Sequence, residues 1–289
     1  MHKSSKNYYL LFFAILLFIL VIYIFYLDWA SYHKKMKFAM LDIGQGDALF
    51  IESPSGVQML VDGGPPKSVI KKLSKVMPFW DRSIDALIIT NPDQDHIGGF
   101  DSVLKNYKVG QVFEPGTTSD SKTYENLKNE ISNKGIKHSY LKKGMMLDLG
   151  GGVYLDVIFP DRDVSEFSTN DGSLVARLVY GETSFLLTGD TTEKTEKLML
   201  DGNQVEELDS DVLKVAHHGS KSSSSFRFVE AVSPEYAIVS SGKNNKYGHP
   251  HQEVLNRFEE FGIKLLRTDE SGSIILESDG QKIDFSFKR

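Results

Sequence analysis

Ile84-Asp-Ala-Leu-Ile-Ile-Thr-Asn-Pro-Asp-Gln-Asp-His-Ile-Gly-Gly99 joins an apolar run to a cluster of acids and a histidine. Residues 84–90 read as a fully buried strand, short, rich in Ile and Leu, and stopped by Asn-Pro. The stretch from Thr90 to Gly99 then falls between that strand and an expected helix, where polar side chains project from a rigid edge. Asp93 and Asp95 are two residues apart and His96 is adjacent, so a tightly turned loop brings all three onto one cation. Carboxylate oxygens and a neutral imidazole suit Zn²⁺ or Mn²⁺. The plainer alternative is an Asp-rich turn in which Asp93 or Asp95 caps the next helix.

The same design recurs further along. Phe185-Leu-Leu-Thr-Gly-Asp190 is a buried strand ending in an acid. Leu213-Lys-Val-Ala-His-His-Gly-Ser-Lys221 runs a strand into His217 and His218, and Ser241-Gly-Lys-Asn-Asn-Lys-Tyr-Gly-His-Pro-His251 adds His249 and His251. Each segment alone is ordinary strand-end chemistry. Four of them in one chain point to a single sheet edge where the fold gathers strand termini. Lys221, Lys243 and Lys246 lie in the loops that carry these histidines, a local cationic rim suited to an anionic substrate.

Outward from these segments, short apolar strands at 38–43, 48–52 and 58–61 read as an opening β-meander. Val69, Ile70, Leu73 and Val76 after Pro65-Pro66 mark a helix face, as do Tyr124, Leu127 and Ile131 before Gly135. Strands are expected at 153–158, 174–180, 184–187, 212–215, 237–239, 274–276 and 283–287. Helices are expected at 192–200, 226–232 and 252–261. No fixed-period repeat occurs, and Ser222–Ser225 is the one low-complexity stretch. Strands interleaved with helices predict one α/β domain, helices covering stacked sheets.

Composition bounds the chemistry. The 289 residues carry a net charge of −6 and no cysteine, which excludes disulfide scaffolds, cysteine nucleophiles and thiolate metal sites. Residues 1–35 hold Lys3, Lys6, Lys34 and Lys35 against Asp28, a net of +3, so the remainder carries −9. So acidic a domain is a poor partner for long contact with duplex DNA, and any nucleic-acid role is local. Tyr8–Leu27 is an uninterrupted apolar run of twenty residues, about 30 Å as a helix, the thickness of a bilayer core. Aromatic residues flank it. It exceeds a usual signal-peptide core and no clear cleavage site follows, so an uncleaved anchor is expected over a cleaved leader. Lysines on both sides leave its orientation undecided by charge.

Leu41-Asp-Ile-Gly-Gln-Gly-Asp-Ala48, Val61-Asp-Gly-Gly64, the Asp-Gln-Asp-His segment, Asn170-Asp-Gly-Ser-Leu-Val175, His-His-Gly-Ser at 217–220 and Gly-His-Pro at 248–250 occur in that order. The arrangement over residues 36–289 resembles the metallo-β-lactamase superfamily, in its ComEC-like branch of competence DNA-uptake hydrolase domains. The resemblance implies an αβ/βα sandwich with one or two divalent ions, Zn or Mn, along the sheet edge. The family's His-x-His-x-Asp-His motif falls on Asn91, Asp93, Asp95 and His96. Asn91 offers only a carbonyl oxygen and is a weak or lost ligand; Asp93 stands where the second His does, as in that branch. The oxygen-rich motif moves metal preference from Zn²⁺ toward Mn²⁺ or Mg²⁺. Asp190 matches the bridging carboxylate and His249 the late histidine ligand. The resemblance gives His217 and His218 a part as ligand, proton donor or substrate contact, and places Asp42, Asp47 and Asp62 as supports behind the site, the plainer alternative for those three being strand-end turn chemistry.

The expected organisation is an N-terminal tail (1–7), an anchor (8–27), a juncture (28–35) and a hydrolase domain (36–289). The resemblance implies a single-pass membrane protein whose hydrolase domain lies outside the cytoplasm. Its expected activity is hydrolysis of nucleic acid or another phosphodiester by metal-activated water, with Asp95, His217 and His218 catalytic and Lys221, Lys243 and Lys246 binding substrate. With a single apolar span, a processing enzyme working beside a pore or on extracellular nucleic acid is expected rather than the pore. The alternatives are hydrolysis of another ester, lactone or amide, and a non-catalytic surface-anchored binding module with a degenerate site.

Overall fold

The computed structural model describes residues 4–32, 35–202 and 205–288; residues 1–3, 33 and 34 of the expected tail and juncture lie outside the described residues. Helix α1 (Ser4–Tyr32) contains the apolar run, whose mean hydropathy is 3.1 and whose side chains are exposed throughout. By length and composition it is a candidate membrane span or signal sequence.

The strands are β1 (Met36–Met40), β2 (Leu49–Glu52), β3 (Gln58–Val61), β4 (Ser83–Ile88), β5 (Lys108–Glu114), β6 (Lys137–Tyr140), β7 (Met146–Gly150), β8 (Val153–Phe159), β9 (Val175–Tyr180), β10 (Thr183–Leu187), β11 (Val212–Lys214), β12 (Tyr236–Val239), β13 (Lys264–Arg267), β14 (Ser273–Ser278) and β15 (Ile283–Lys288). They form two sheets, β15-β14-β1-β2-β3-β4-β5-β6 and β13-β12-β11-β10-β9-β8-β7. The opening meander is antiparallel, whereas β3 to β6 run parallel, as do β10 to β13. Helices α2 (Val69–Val76) and α3 (Gln94–Ile97), with those at Phe100–Asn106 and Lys122–Asn133, follow strands of the first sheet. The helices at Glu193–Asp201, Phe226–Val232 and Gln252–Glu260 follow strands of the second.

Why the strands read as unbroken apolar runs is visible in β1. Phe38 and Met40 point between the sheets, where Phe38 stacks on Phe185 with ring centroids 4.7 Å apart, while Ala39 and Leu41 face the helices. Both faces of the sheet are buried, so alternation disappears. A third apolar cluster, including Val215, Phe228 and Phe258, lies under the helices of the second sheet. This is the αβ/βα sandwich.

Four strands carry too little apolar signal to be foreseen. Gly110 interrupts β5, no residue of β6 is fully buried, and β7 and β13 each bury only one residue. Their partners, not their composition, define them. Strand β5 ends at Glu114, which is 1% exposed. Its carboxylate accepts from Tyr124 Oη at 2.9 Å and Lys128 Nζ at 2.6 Å, and His138 Nε2 stands 2.9 Å away. Burial disfavours the charge, yet the contacts with His138 and Lys128 hold its pKa below the ordinary 4.5.

That depression fixes the sign of a pH dependence. The stabilisation Glu114 provides is complete above pH 4.5 and is lost as pH falls through its lower folded-state pKa. Glu114→Gln is expected to destabilise the protein by roughly 1–3 kcal/mol at pH 7. In denaturant titrations the two stability curves should converge below pH 4.5.

Candidate metal centre

The site forms where parallel strands end on the edge shared by the two sheets. Asp62 follows β3, Thr90 to His96 follow β4, Asp190 follows β10, His217 and His218 follow β11, and Ser240 follows β12. The loop between β1 and β2 supplies Asp47. Two glycines let these loops close on one another. A Cβ on Gly46, where φ is +117°, would lie 2.1 Å from the Asp95 carbonyl oxygen, and one on Gly99 would lie 2.0 Å from that of Gly63. The Gly-Gln-Gly-Asp and Ile-Gly-Gly signatures are therefore packing requirements between loops.

His96 is fully buried. Its Nδ1 lies 2.8 Å from Asp62 Oδ2, and Asp62 is itself held by the Thr90 N–H at 2.8 Å and the Thr90 hydroxyl at 2.5 Å. A carboxylate accepts only, so Nδ1 donates and the Nε2 lone pair faces forward. It meets Asp190 Oδ2 at 3.1 Å. His218 is oriented in the same way by a different group. Its Nδ1 donates to the Ser240 carbonyl at 3.0 Å, and its Nε2 faces Asp95 Oδ2 at 3.4 Å and Asp190 Oδ2 at 3.5 Å. His217 and His218 both adopt left-handed backbone angles, with φ of 48° and 56°. This uncommon pair of conformations, costing about 1–3 kcal/mol each, aims adjacent rings at one place.

Lone pairs thus face carboxylate oxygens, an arrangement that requires a proton or a cation between them. Burial opposes protonation of His96 and His218, but Asp190, with Asp62 or Asp47, outweighs it and raises both pKa values well above 6.5. Reciprocally, burial opposes the charge of Asp190, yet His218 and His96 hold its pKa well below 3.8. A divalent cation replaces such protons. Donor chemistry fits it. Asp95, His96 and His218 present ligand atoms within 4.8 Å of one another, as do Asp47, Asp190 and His218. His96 Nε2, His218 Nε2, Asp190 Oδ1 and Asp47 Oδ1 are buried with no hydrogen-bond partner.

The other expected residues divide between this cluster and its surroundings. His249 borders it, its ring 5.6 Å from that of His217 and 6.4 Å from that of His218, with Nδ1 buried and unpartnered. Burial and the neighbouring His218, His217 and His251 push its pKa down to about 4, so it is neutral at pH 7. His217 sits at the rim, Nε2 3.9 Å from Asp190 Oδ2. Asp93 occupies the N-cap position of α3 without a capping hydrogen bond and instead accepts from the Thr169 hydroxyl at 3.0 Å. The Asn91 amide is fully engaged. Its Oδ1 accepts from the Asp93 N–H at 2.8 Å, and its NH₂ donates to Asn170 at 2.9 Å and Ser173 at 3.3 Å. Lys221, Lys243 and Lys246 are exposed on the surrounding loops. Of the three expected supports, Asp47 and Asp62 reach the cluster, whereas Asp42 pairs with Lys72 on α2 at 2.7 Å.

Lys214 is the residue that sequence reasoning passed over. It is 3% exposed, ion-paired with Asp47, donates to the Gly189 carbonyl at 3.0 Å, and lies 4.0 Å from Asp190. Burial opposes the charge of Asp47, but Lys214 and His218 bring its pKa down to about 2. The signal was present as a lysine inside the otherwise apolar strand Val212-Leu-Lys-Val215.

The Metallo-beta-lactamase superfamily model matches residues 41–243. ComE operon protein 3 of Bacillus subtilis is 35% identical over 255 residues, covering 81% of this chain and 32% of that protein. Competence protein ComA of Neisseria gonorrhoeae is 33% identical over 237 residues, covering 81% and 31%. The chain therefore spans about a third of the length of these curated relatives. Among solved structures, the metallo-beta-lactamase fold protein YhfI from Bacillus subtilis aligns with TM-score 0.53 at 13% identity over 82% of this chain and 98% of its own. CmlA, a diiron beta-hydroxylase from Streptomyces venezuelae, aligns with TM-score 0.53 at 14% identity over 81% and 53%. At such identities these structures bear on the fold alone.

Gly46→Ala should weaken metal binding without replacing any donor residue, because its Cβ would displace the backbone of Asp95 and with it the Asp95 carboxylate. Elemental analysis is expected to show a loss of at least about tenfold in retained divalent metal, the scale on which supporting residues tune metal affinity. Retention of wild-type metal content would contradict the close-approach argument.

Proposed function

The chain belongs to the metallo-β-lactamase superfamily, and from that premise we propose that it is a membrane-anchored, metal-dependent phosphodiesterase acting on nucleic acid. The observation that carries the reading is the set of buried, unpartnered donor atoms at one sheet edge, His96 Nε2, His218 Nε2 and Asp190 Oδ1. Together with Asp95 these residues would hold a divalent ion, Mn or Zn. The His249 ring stands beside them as a further donor. The ion would supply Lewis acidity and an activated water at neutral pH.

The chain's own residues account for the rest. Asp62 and the Ser240 carbonyl fix the two imidazole tautomers, and Lys214 balances the charge of Asp47. Asp95, 34% exposed at its side chain, is open to solvent and would orient the attacking water. His217 Nε2, at the rim, is placed to carry a proton to the leaving oxygen. Lys221, Lys243 and Lys246 supply positive charge around the mouth of an otherwise acidic domain. A phosphodiester fits that rim, and the similarity to proteins named for competence favours nucleic acid as its source. In this reading residues 8–27 anchor a hydrolase domain at 36–289 outside the cytoplasm, after a tail at 1–7 and a juncture at 28–35.

The test is hydrolysis of single-stranded DNA and of a simple chromogenic phosphodiester by the full chain, with Mn²⁺ or Zn²⁺ added, beside Asp190→Ala. Cleavage should require the ion and fall by at least about 10²-fold in the variant, the upper end of what even an outer residue costs a metal site. Cleavage that is independent of both the ion and Asp190 would overturn the proposal.

A further inference from the structure

Among the described residues outside α1, the most exposed large apolar side chains are two neighbours, Phe79 and Trp80, at 77% and 72% exposure. They sit in the turn between α2 and β4 with ring centroids 4.9 Å apart and edge to face. The turn is built rather than loose. The Asp81 N–H donates to the Pro78 carbonyl at 3.1 Å, and the Asp81 carboxylate accepts from Gln58 Nε2 at 2.7 Å and the Ser83 N–H at 3.0 Å. Two rings held out of the core by a fixed turn leave a sizeable apolar surface to be covered.

Their position says what covers them. Lys37 pairs in register with Glu52, and Glu52 with Gln58, whose side chain holds Asp81. Lys37 Nζ also reaches the last carbonyl of α2, that of Val76, at 3.2 Å. The aromatic turn thus stands on the edge of the sheet where β1 begins. Helix α1 ends at Tyr32 and β1 starts at Met36, so the intervening chain spans at most about 14 Å. The apolar run ends at Leu27, five helical residues or about 7.5 Å earlier, so the plane it enters passes within about 22 Å of this edge. The charges agree. Lys75, Arg82 and Lys108 are exposed around the turn, Arg82 also donating to the Tyr107 hydroxyl; of the acids nearby, Glu52 pairs with Lys37, Asp81 accepts from Gln58 and Ser83, and Asp85 accepts from the Gln58 N–H at 2.8 Å. Exposed aromatics rimmed by basic residues match the boundary of an anionic bilayer, where rings seat among the headgroups and Lys and Arg meet lipid phosphate.

We propose that the Pro78-Phe79-Trp80 turn and its basic rim form a second membrane contact, which seats this edge of the domain on an anionic lipid surface. The proposal rests on reading residues 8–27 as an anchor. Its consequence is orientation. Strand β4 runs six residues from this edge to the loop of Asp95 and His96, about 20 Å at 3.3 Å per residue, so the metal centre faces away from the bilayer.

The chain has two tryptophans, Trp29 just beyond the apolar run and Trp80 in the turn, and each can be made the sole reporter. The full chain would be reconstituted into phosphatidylglycerol/phosphatidylcholine vesicles with brominated acyl chains, as Trp29→Phe and, separately, as Trp80→Phe. Trp80 emission is expected to shift to the blue and to be strongly quenched by brominated lipid. The quenching should weaken in phosphatidylcholine alone, at high salt, and when Phe79→Ser is added to Trp29→Phe. Quenching of Trp29 without quenching of Trp80 overturns the second contact and leaves the anchor standing. Quenching of neither removes both. A blue-shifted Trp80 insensitive to brominated lipid assigns the patch to a protein neighbour, a second copy included, and also overturns the proposal.

Discussion

Four carboxylates, Asp47, Asp62, Asp95 and Asp190, are drawn into one small, largely buried volume, and the rest of the structure answers to the charge they bring. Two unit charges about 4 Å apart repel by roughly 4 kcal/mol even at the effective dielectric of a protein surface. A cluster of four is tenable only with positive charge among them. The chain supplies a fixed share through Lys214, buried inside β11 against Asp47, and a variable share through His96 and His218. Each of those imidazoles is turned by its Nδ1, which meets Asp62 in His96 and the Ser240 carbonyl in His218 at the shortest distance, so that Nε2 meets Asp190. The gap between those nitrogens and oxygens takes protons in their absence of a better partner and a divalent cation when one is bound. The left-handed turn at His217 and His218 and the side-chain-free approach at Gly46 are costs the fold meets to keep that gap at one place.

The same constraint orders the molecule along its strands. The acids and histidines occupy the ends of β3, β4, β10 and β11, while the start of β1, the aromatic turn before β4 and the basic residues around it occupy the opposite edge. A chain entering from an apolar helix at one end of the sandwich presents its polar chemistry at the other. Apolar helix and charged centre are thus kept apart by the length of the strands themselves.

Most of this was legible in the sequence because burial on both faces leaves strands as unbroken apolar runs, and because four groups of acids and histidines directly after such runs point together to one sheet edge. Gln58–Val61 and Phe226–Val232 form where their patterns place them. Edge strand β6, Lys-His-Ser-Tyr, escaped because it buries no residue and lacks the alternating apolar residues that made β15, equally unburied, legible as Ile-Asp-Phe-Ser-Phe. Lys214 escaped for a different reason: a single lysine in an apolar run reads as a solvated tip, and only the tertiary position of Asp47 makes it a counter-ion. Asn91 looked like a depleted ligand in a motif, whereas its amide is occupied with Asp93, Asn170 and Ser173. Such an Asx-type bond from a side chain to the backbone two residues on is what Asn before Pro-Asp favours.

The proposal at the centre is that His96 and His218, facing Asp190, hold a divalent ion. Anomalous diffraction from crystals of the Mn²⁺- or Zn²⁺-loaded protein tests it most directly. The account predicts one dominant peak about 2.0–2.2 Å from both Nε2 atoms and an Asp190 oxygen. A peak held instead by Asn91 and Asp93, or none at the ends of β4, β10 and β11, would contradict it.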